Sequence, residues 1–296
     1  MKRYILLLMA VYCLFPVSAQ QSIKEIVEEP LCLVAPDSVQ KTKQLVILQT
    51  SDTHSRIEPI AVNAADRYAG MGGTVRRATF IKEARKINPN LLLFDCGDIS
   101  QGTLFRGEVE VRMMNLMGYD AMTIGNHEFD FGLENMARLF RMANFPVVCS
   151  NYDVTGTVLE GLVKPYTTFN RNGLKIGVFG LAPKMEGLVQ ADKCEGVVYN
   201  DPIEAAQKMA DLLKNEEGCD VVICLSHLGY QLKNAPCDEE LAQKTNHIDA
   251  ILGGHTHTFM KEPAVYLNKD GRNVSVMHTG KSGIYVGMLK LTLAEE

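Results

Sequence analysis

Residues 125–130, with the sequence GNHEFD, place an amide, an imidazole and two carboxylates directly after an apolar stretch. A turn that only reverses the chain needs residues such as the glycine and asparagine at its start, for their backbone preferences. It does not need His127, Glu128 and Asp130. Because amides, imidazoles and carboxylates bind metal ions and transfer protons, we predict that this segment carries chemistry.

Four more polar clusters follow predicted strands. They contain Asp52 and His54, Asp98, His227, and His255 and His257. Five of the seven histidines of the chain lie in these clusters or in residues 125–130. A single histidine at a strand end is more often structural, and we assign that role to His278, which lies in a predicted hairpin strand. A structural role explains five such coincidences poorly.

The residue types indicate a site for two divalent metal ions. Histidine, aspartate and asparagine without cysteine suit zinc or manganese, whereas a calcium site would use oxygen ligands alone. So many ligands require two ions. A serine hydrolase lacks support, because the chain has no Gly-x-Ser-x-Gly motif. Ser226 also directly precedes His227, so the two side chains would point to opposite faces of a continued strand.

The order of predicted elements places the polar clusters at the carboxyl ends of strands. Strands are predicted at 44–49, 91–94, 119–124, 146–151, 220–225 and 248–252, and helices at 75–87, 108–117, 133–143, 202–215 and 238–244. Open α/β sheets form their sites at the carboxyl ends of strands. A hairpin at Asn172-Gly173 and antiparallel strands after residue 264 complete an α/β layered fold rather than separate domains.

Two helices allow more detailed predictions. The helix at 75–87 is predicted to be amphipathic, with Arg77 among its polar residues and an apolar face formed by Val75, Ala78, Ile81 and Ala84. Asp201 is predicted to cap the helix at 202–215.

The N-terminus has the features of a secretory signal peptide. Two basic residues precede an apolar run of about 12 residues, and residues 17–19 form a small-x-small cleavage pattern. The run is shorter than the ~20 residues that a membrane-spanning helix needs, so no stable membrane anchor is expected. We predict a signal peptide at 1–19, an N-terminal arm at 20–43 and a catalytic domain at 44–296, with export to the periplasm or the extracellular space.

Composition and charge limit the possible partners. With 46% hydrophobic residues over 296 positions, the chain can bury a substantial core. Its formal charge is −5, so no nucleic-acid partner is expected. A phosphate group must then meet a local positive charge such as a bound metal ion. The cysteines form no Cys-x-x-Cys motif; most are predicted to be buried thiols, and Cys194 with Cys237 is the first pair to test for a disulfide.

The ordered motifs resemble those of the calcineurin-like metallophosphoesterases. They are Asp52-x-His54, Gly97-Asp98, Gly125-Asn126-His127-Glu128, Ser226-His227 and Gly254-His255-Thr256-His257. The longer matches, at 125–132 and 253–257, are similar to the 5'-nucleotidase branch. The resemblance covers about residues 45–293. It implies a layered α/β sandwich of two mixed β-sheets flanked by helices, with a dimetal site at the carboxyl ends of the strands.

The resemblance also implies a role for each site residue. One ion, zinc or manganese, would be held by Asp52, His54, Asp98 and His257, and a second by Asp98, Asn126, His227 and His255. His127 would face the phosphoryl group of the substrate rather than bind metal, and Asp130 would orient its imidazole. Asn126 and His127 would therefore both contact substrate. Glu128 receives no catalytic role and is interpreted as structural.

The activity implied by the resemblance is hydrolysis of phosphate monoesters, above all nucleoside 5'-monophosphates, by in-line attack of a metal-bound hydroxide. One alternative is a broader phosphoesterase that acts on cyclic nucleotides or nucleotide-sugar diphosphates. A non-enzymatic alternative is a module that binds a phosphorylated ligand or a partner protein. Typical 5'-nucleotidases continue into a second domain that stacks on the nucleobase. Because this sequence stops at Glu296, we expect a separate polypeptide to supply such a nucleotide-binding domain.

Overall fold

Sixteen strands and five α-helices build the part of the chain that this computed structural model describes, residues 4–7, 13–16, 42–101 and 107–295. The strands are β1 (Tyr4–Leu7), β2 (Cys13–Pro16), β3 (Thr42–Thr50), β4 (Leu92–Asp95), β5 (Ala121–Met122), β6 (Val147–Val148), β7 (Tyr152–Asp153), β8 (Val163–Lys164), β9 (Tyr166–Arg171), β10 (Leu174–Leu181), β11 (Val198–Tyr199), β12 (Val221–Ser226), β13 (Ala250–Gly253), β14 (Ala264–Leu267), β15 (Asn273–His278) and β16 (Tyr285–Glu295). The helices are α1 (Thr74–Ile87), α2 (Glu108–Met117), α3 (Gly132–Met142), α4 (Pro202–Asp211) and α5 (Asp238–Lys244).

Two large mixed sheets contain most of the strands. The first has the order β1-β16-β3-β4-β5-β6-β8, with β2 also paired to β16, and the second has the order β14-β15-β13-β12-β10-β9. β3, β4, β5 and β6 are parallel neighbours, as are β10, β12, β13 and β15. The strands that precede the polar clusters are therefore parallel within each sheet, and their carboxyl ends share one edge.

Alternation along the strands divides the core into layers. In β3, Leu45 and Ile47 are buried between the two sheets, whereas Val46 and Leu48 face the opposite side, as the period of two of a strand requires. β12 divides in the same way. Helices α1, α2 and α3 pack on the outer face of the first sheet, and α4 and α5 pack on that of the second. The predicted layered α/β fold with two mixed sheets is confirmed.

Several local predictions need correction. β5 has only two residues instead of the predicted six, because the Asp120 carboxylate takes the Leu93 N–H (2.8 Å) that a longer strand would bond. The α-helix predicted at 202–215 ends at Asp211 and continues as a π-helical turn, Leu212–Glu216. The last predicted strand, β16, does not join the antiparallel pair of β14 and β15. It pairs antiparallel with β3 in the first sheet instead.

The buried face of α1 differs from the predicted one. Val75 is 78% exposed, whereas Arg77 is only 5% exposed and lies in the buried stripe with Phe80, Ile81 and Ala84. Helical spacing allows two overlapping stripes here, and the structure selects the one that contains the arginine. This arginine lines a polar cavity.

Cys194 and Cys237, the first pair to test for a disulfide, are not joined, and the prediction that most cysteines are buried thiols is confirmed. All six described cysteines after residue 42 are free, and five of them are buried. Cys194 packs at the edge of the core beside the first sheet, and Cys237 directly precedes α5 on the outer side of the second sheet. The two residues thus belong to opposite layers.

Residues 1–43, the predicted signal peptide and arm, lie mostly outside the described residues. The two described segments in residues 1–19 are β1 and β2, which pair antiparallel with β16. In the described ranges, no helix is long and apolar enough to cross a bilayer.

Asp201 caps α4 as predicted, since its side chain accepts hydrogen bonds from Ile203 N and Glu204 N, both at 2.9 Å. We expect Asp201→Ala to lower the free energy of unfolding by about 0.5–2 kcal/mol, because two N–H groups lose their acceptor. Urea unfolding measures this loss. Asp201→Asn keeps an accepting oxygen and should retain most of the stability; equal losses in both variants would contradict the capping role.

Candidate metal centre

The polar clusters of the two sheets meet at the shared edge of the sandwich. His227 Nε2, after β12, lies 3.0 Å from Asp98 Oδ2, after β4. The backbone N–H of His255, after β13, donates to Asp52 Oδ1 at 3.1 Å. Asp52 itself follows β3. Each of these contacts joins a loop of the first sheet to a loop of the second.

The side chains form three overlapping groups whose ligand atoms lie within 4.8 Å of one another. They are Asp52, His54 and His257; Asp98, His227 and His255; and His54, Asp98 and His127. Asn126 and Asp130 lie in the same turn as His127. All nine residues predicted for the site are therefore brought to one place.

His227 shows why this place requires a proton or a metal ion. Its Nδ1 lies 2.5 Å from the backbone oxygen of Cys96, and because a carbonyl oxygen only accepts, Nδ1 carries the proton and donates it. The lone pair of Nε2 then faces the carboxylates of Asp98 at 3.0 Å and Asp52 at 3.8 Å. Acceptors this close repel each other unless a proton or a metal ion lies between them.

Two more observations fit a metal site. The Asn126 side-chain oxygen is buried without a hydrogen-bond partner in the described part of the chain, although buried acceptors are normally satisfied. His54 Nε2 and His257 Nε2 face each other at 2.9 Å, and His257 Nε2 is 3.4 Å from Asp52 Oδ1. These nitrogen and oxygen donors match the set that zinc or manganese prefers.

The pKa values follow from the same contacts. Burial alone lowers the pKa of His227, but the Asp98 and Asp52 carboxylates raise it to about 10. Burial alone would raise the pKa of Asp98, yet the neighbouring histidines, His227 first, hold it below its usual range. Burial lowers the pKa of His54 and lowers that of His255 to about 4. These last two imidazoles are neutral at neutral pH, which is the form that binds metal.

The backbone under the predicted ligands is unusual. Five of them have positive φ angles: Asp52 (51°), His54 (46°), Asp98 (57°), His255 (74°) and His257 (53°). Non-glycine residues rarely adopt this left-handed region, and they remain there only where the surrounding structure holds them, which is common at functional sites. The loops are thus shaped around the site rather than for the lowest local energy.

Close packing of the loops depends on Gly254. A Cβ at this position would lie 2.9 Å from His227 Nδ1 and 3.0 Å from Asp52 Oδ2, which is closer than ordinary contact permits. Only glycine therefore lets the loop after β13 approach both side chains.

His127 differs from the other histidines of the site. Its Nδ1 bonds the Asp130 carboxylate at 2.9 Å within a single 3₁₀ turn, His127–Phe129, and its side chain is 28% exposed. Its backbone N–H donates to Asp98 Oδ1 at 2.9 Å. The ring is therefore held by Asp130, its backbone is tied to Asp98, and its side chain remains partly exposed.

Comparison with known proteins identifies the family. The sequence profile of the calcineurin-like phosphoesterases matches residues 45–259. The chain belongs to the calcineurin-like phosphoesterase family. This membership confirms the resemblance of the motifs and places the chain among the metal-dependent hydrolases of phosphoric esters.

The similar members of this phosphoesterase family include 5'-nucleotidases. The 5'-nucleotidase of Rattus norvegicus is 33% identical over 275 residues, 85% of this chain and 46% of that protein. The structure of the 5'-nucleotidase precursor of Thermus thermophilus aligns with a TM-score of 0.74 and 31% identity, over 83% of this chain and 51% of that one. The NAD nucleotidase of Haemophilus influenzae aligns with a TM-score of 0.76 and 29% identity, over 86% and 55%. The chain thus spans about half the length of these relatives.

Glu128 has a larger role in this phosphoesterase site than its sequence position suggested. Its buried carboxylate accepts hydrogen bonds from the backbone N–H groups of Asp98 and Ile99, each at 2.9 Å, and of Gly125 at 2.6 Å. One side chain thus joins the loop of Asp98 to the loop of Asn126. The bond from Gly125 to a glutamate three residues later has the spacing of a capping box, and this spacing is the sequence signal that could have revealed it.

Replacing Glu128 by glutamine should weaken metal binding by about 10–100-fold, because an amide cannot accept all of these N–H groups and the two loops lose their common anchor. Metal content after dialysis, measured by mass spectrometry, tests this. Glu134→Gln, on the exposed start of α3, is the matched control. Normal metal content in Glu128→Gln would contradict the anchoring role.

Proposed function

We propose that the chain is an exported two-metal phosphoesterase that hydrolyses phosphate monoesters, with nucleoside 5'-monophosphates as its substrates. The observation that carries the proposal is the cluster of imidazoles and carboxylates, with His227 against Asp98 and Asp52, beside the His127–Asp130 pair. This arrangement combines a place for divalent ions with the partly exposed imidazole of His127, whose Nδ1 bonds the Asp130 carboxylate.

Both predicted metal groups fit the arrangement of the side chains. One ion would be held by Asp52, His54, Asp98 and His257, and the other by Asp98, Asn126, His227 and His255. Zinc or manganese suits this mixture of imidazoles, carboxylates and one amide. When bound, two such ions supply a nucleophilic water at neutral pH and neutralise charge on phosphoryl oxygens.

His127 is assigned to the substrate rather than to a metal ion. It lies within ligand distance of His54 and Asp98, but its Nδ1 is engaged by Asp130 and its side chain is part-exposed. The Asp130 carboxylate accepts a hydrogen bond from Nδ1 and orients the ring. A protonated Nε2 would donate to a phosphoryl oxygen or to the leaving alkoxide. Asn126, one residue earlier, is placed to contact the same phosphoryl group.

The choice of nucleoside 5'-monophosphates is supported by the similar proteins named 5'-nucleotidase. The NAD nucleotidase, with its comparable structural match, favours a second candidate, a broader phosphoesterase that also acts on nucleotide diphosphate linkages. The two candidates use the same metal groups and differ only in the leaving group.

Export and partners belong to the same proposal. The predicted signal peptide at 1–19 supports release to the periplasm or the extracellular space. Because the relatives are about twice as long as the matched region, we propose that a nucleotide-binding domain outside residues 44–296 completes substrate recognition. The acidic net charge of −5 argues against a nucleic-acid partner.

Metal removal and substrate profiling test the proposed activity. Chelator treatment followed by dialysis should abolish hydrolysis of a generic phosphomonoester, and zinc or manganese should restore it, because the carboxylates and imidazoles alone supply no activated water. The restored enzyme is then screened on nucleoside monophosphates, cyclic nucleotides and nucleotide sugars. Full activity in a preparation proven to be metal-free would overturn the proposal, and preference for diphosphate linkages would select the second candidate.

His127→Ala separates catalysis from metal binding. We expect kcat to fall by about 10²–10⁴-fold, because the general acid is lost, while the metal content stays at the parental value. Asp130→Asn should give a smaller loss, since the ring remains but is less well oriented. Loss of metal from His127→Ala would instead make His127 a ligand.

A further inference from the structure

A small polar cavity lies behind the loops of the metal centre. Its walls include Thr53, Thr74, Arg77, Asp95, Glu110 and Tyr119. Thr53 lies between the predicted ligands Asp52 and His54. The volume open to the centre of a water molecule is ≈ 10 Å³, which is about the room that one water requires.

Arg77 brings an incompletely satisfied charge to this cavity. The residue is 5% exposed, and its Nη2 donates one long hydrogen bond, 3.4 Å, to Thr74 Oγ1. Nε and Nη1 are buried without a hydrogen-bond partner among the described residues. A buried guanidinium is stable only when its donors are matched, so these two N–H groups require an acceptor in the cavity.

Glu110, on α2, faces the same cavity from the other side. It is also 5% exposed, and both carboxyl oxygens are buried without a hydrogen-bond partner in the described part of the chain. Burial raises the pKa of this carboxyl, and the nearby Ser55 hydroxyl opposes the shift only in part. The carboxyl oxygens of Glu110 can accept hydrogen bonds from a water.

The remaining polar groups of the cavity wall are already paired. The Thr50 hydroxyl donates to Asp95 Oδ2 at 2.6 Å and lies 2.7 Å from the Tyr119 hydroxyl. The Gly97 N–H donates to Asp95 Oδ1 at 2.9 Å. Unmet hydrogen-bonding capacity is thus concentrated on Arg77 and Glu110.

We infer that one ordered water molecule occupies this cavity and bridges Arg77 to Glu110. The water accepts from the guanidinium and donates to the Glu110 carboxyl, which matches the two to four polar partners of a typical buried water. A monatomic anion fits less well, because it would meet the Asp95 carboxylate as well as the Glu110 oxygens. The site is distinct from the metal groups and needs neither metal nor substrate.

The bridging water also supports a predicted metal ligand. Arg77 Nη1 packs against Gly283, at a place where a side chain would collide with it. The neighbouring Ser282 N–H donates to the backbone oxygen of Asp52 at 2.7 Å. Thr53, which directly follows Asp52, forms part of the cavity wall. The hydrated guanidinium therefore holds the Asp52 segment from two sides, and Arg77 and Glu110 are positioning residues.

A double-mutant cycle with Arg77→Met and Glu110→Leu tests the bridge in metal-free protein by urea unfolding. Each single change leaves the opposite group unsatisfied. If the two losses were independent, the folding equilibrium constant of the double variant would fall by the product of the two single-variant factors. We expect its fall to be smaller than this product by at least about threefold. Arg77→Met combined with Ile223→Val, in the distant layer between the sheets, is the control and should show simple multiplication. Multiplicative losses in the Arg77–Glu110 cycle would overturn the bridge.

Crystals give an independent readout. We expect density for one water within hydrogen-bond distance of Arg77 and Glu110 in the parent and in Glu110→Gln, and no anomalous peak there after a bromide soak. A dry cavity or a bromide peak would refute the water.

For the positioning role, zinc dissociation is measured on folded protein: Glu110→Leu should bind zinc several-fold more weakly, and Glu110→Gln should match the parent. Equal zinc affinity in all three would limit the water to a role in stability.

Discussion

The structure is organised around a repulsion between its own side chains. Carboxylates from the loops of the first sheet face imidazole nitrogens from the loops of the second, and the Nε2 lone pair of His227 faces Asp98 at 3.0 Å. Such an arrangement opposes folding unless a proton or a metal ion lies between the two atoms. It is tolerated because the layer between the sheets is continuous and apolar, as with Ile47 and Ile223, both 0% exposed. The site lies where that layer ends and the strands of both sheets deliver their loops.

The sequence was sufficient to predict the polar groups that the fold brings together and the elements that deliver them. The chemical properties of residues such as those at 125–130 can be recognised without knowing the fold. The hydrophobic periods of strands and helices are also visible in the sequence. It was not sufficient where one side chain replaced a backbone bond, as Asp120 does at β5. It also failed at α1, where two helical stripes overlap and a polar cavity favours burial of Arg77 over Val75. The length of β5 and the buried face of α1 depend on contacts with residues that are distant in the sequence.

The supporting residues were the hardest to predict because their role depends on what surrounds them. Glu128 and Arg77 look like ordinary charged residues in the sequence, and both are at least nine-tenths buried. Glu128 satisfies three backbone N–H groups, whereas Arg77 presents donors to a cavity. A buried charge is costly unless a hydrogen-bond partner or an opposite charge matches it. The pattern of polar and apolar residues along the sequence does not show which groups will be such partners.

The histidines of the site show how a partner decides a role. His227 donates its Nδ1 proton to a backbone carbonyl, which fixes the ring so that Nε2 points towards the Asp98 carboxylate. His127 bonds through Nδ1 to a carboxylate in its own turn, which fixes the ring and leaves Nε2 available to the substrate. The partner of His127 lies three residues away in the same turn, so its proposed role could be inferred from the sequence. The partner of His227 is 131 residues away, and only the folded chain brings the two together.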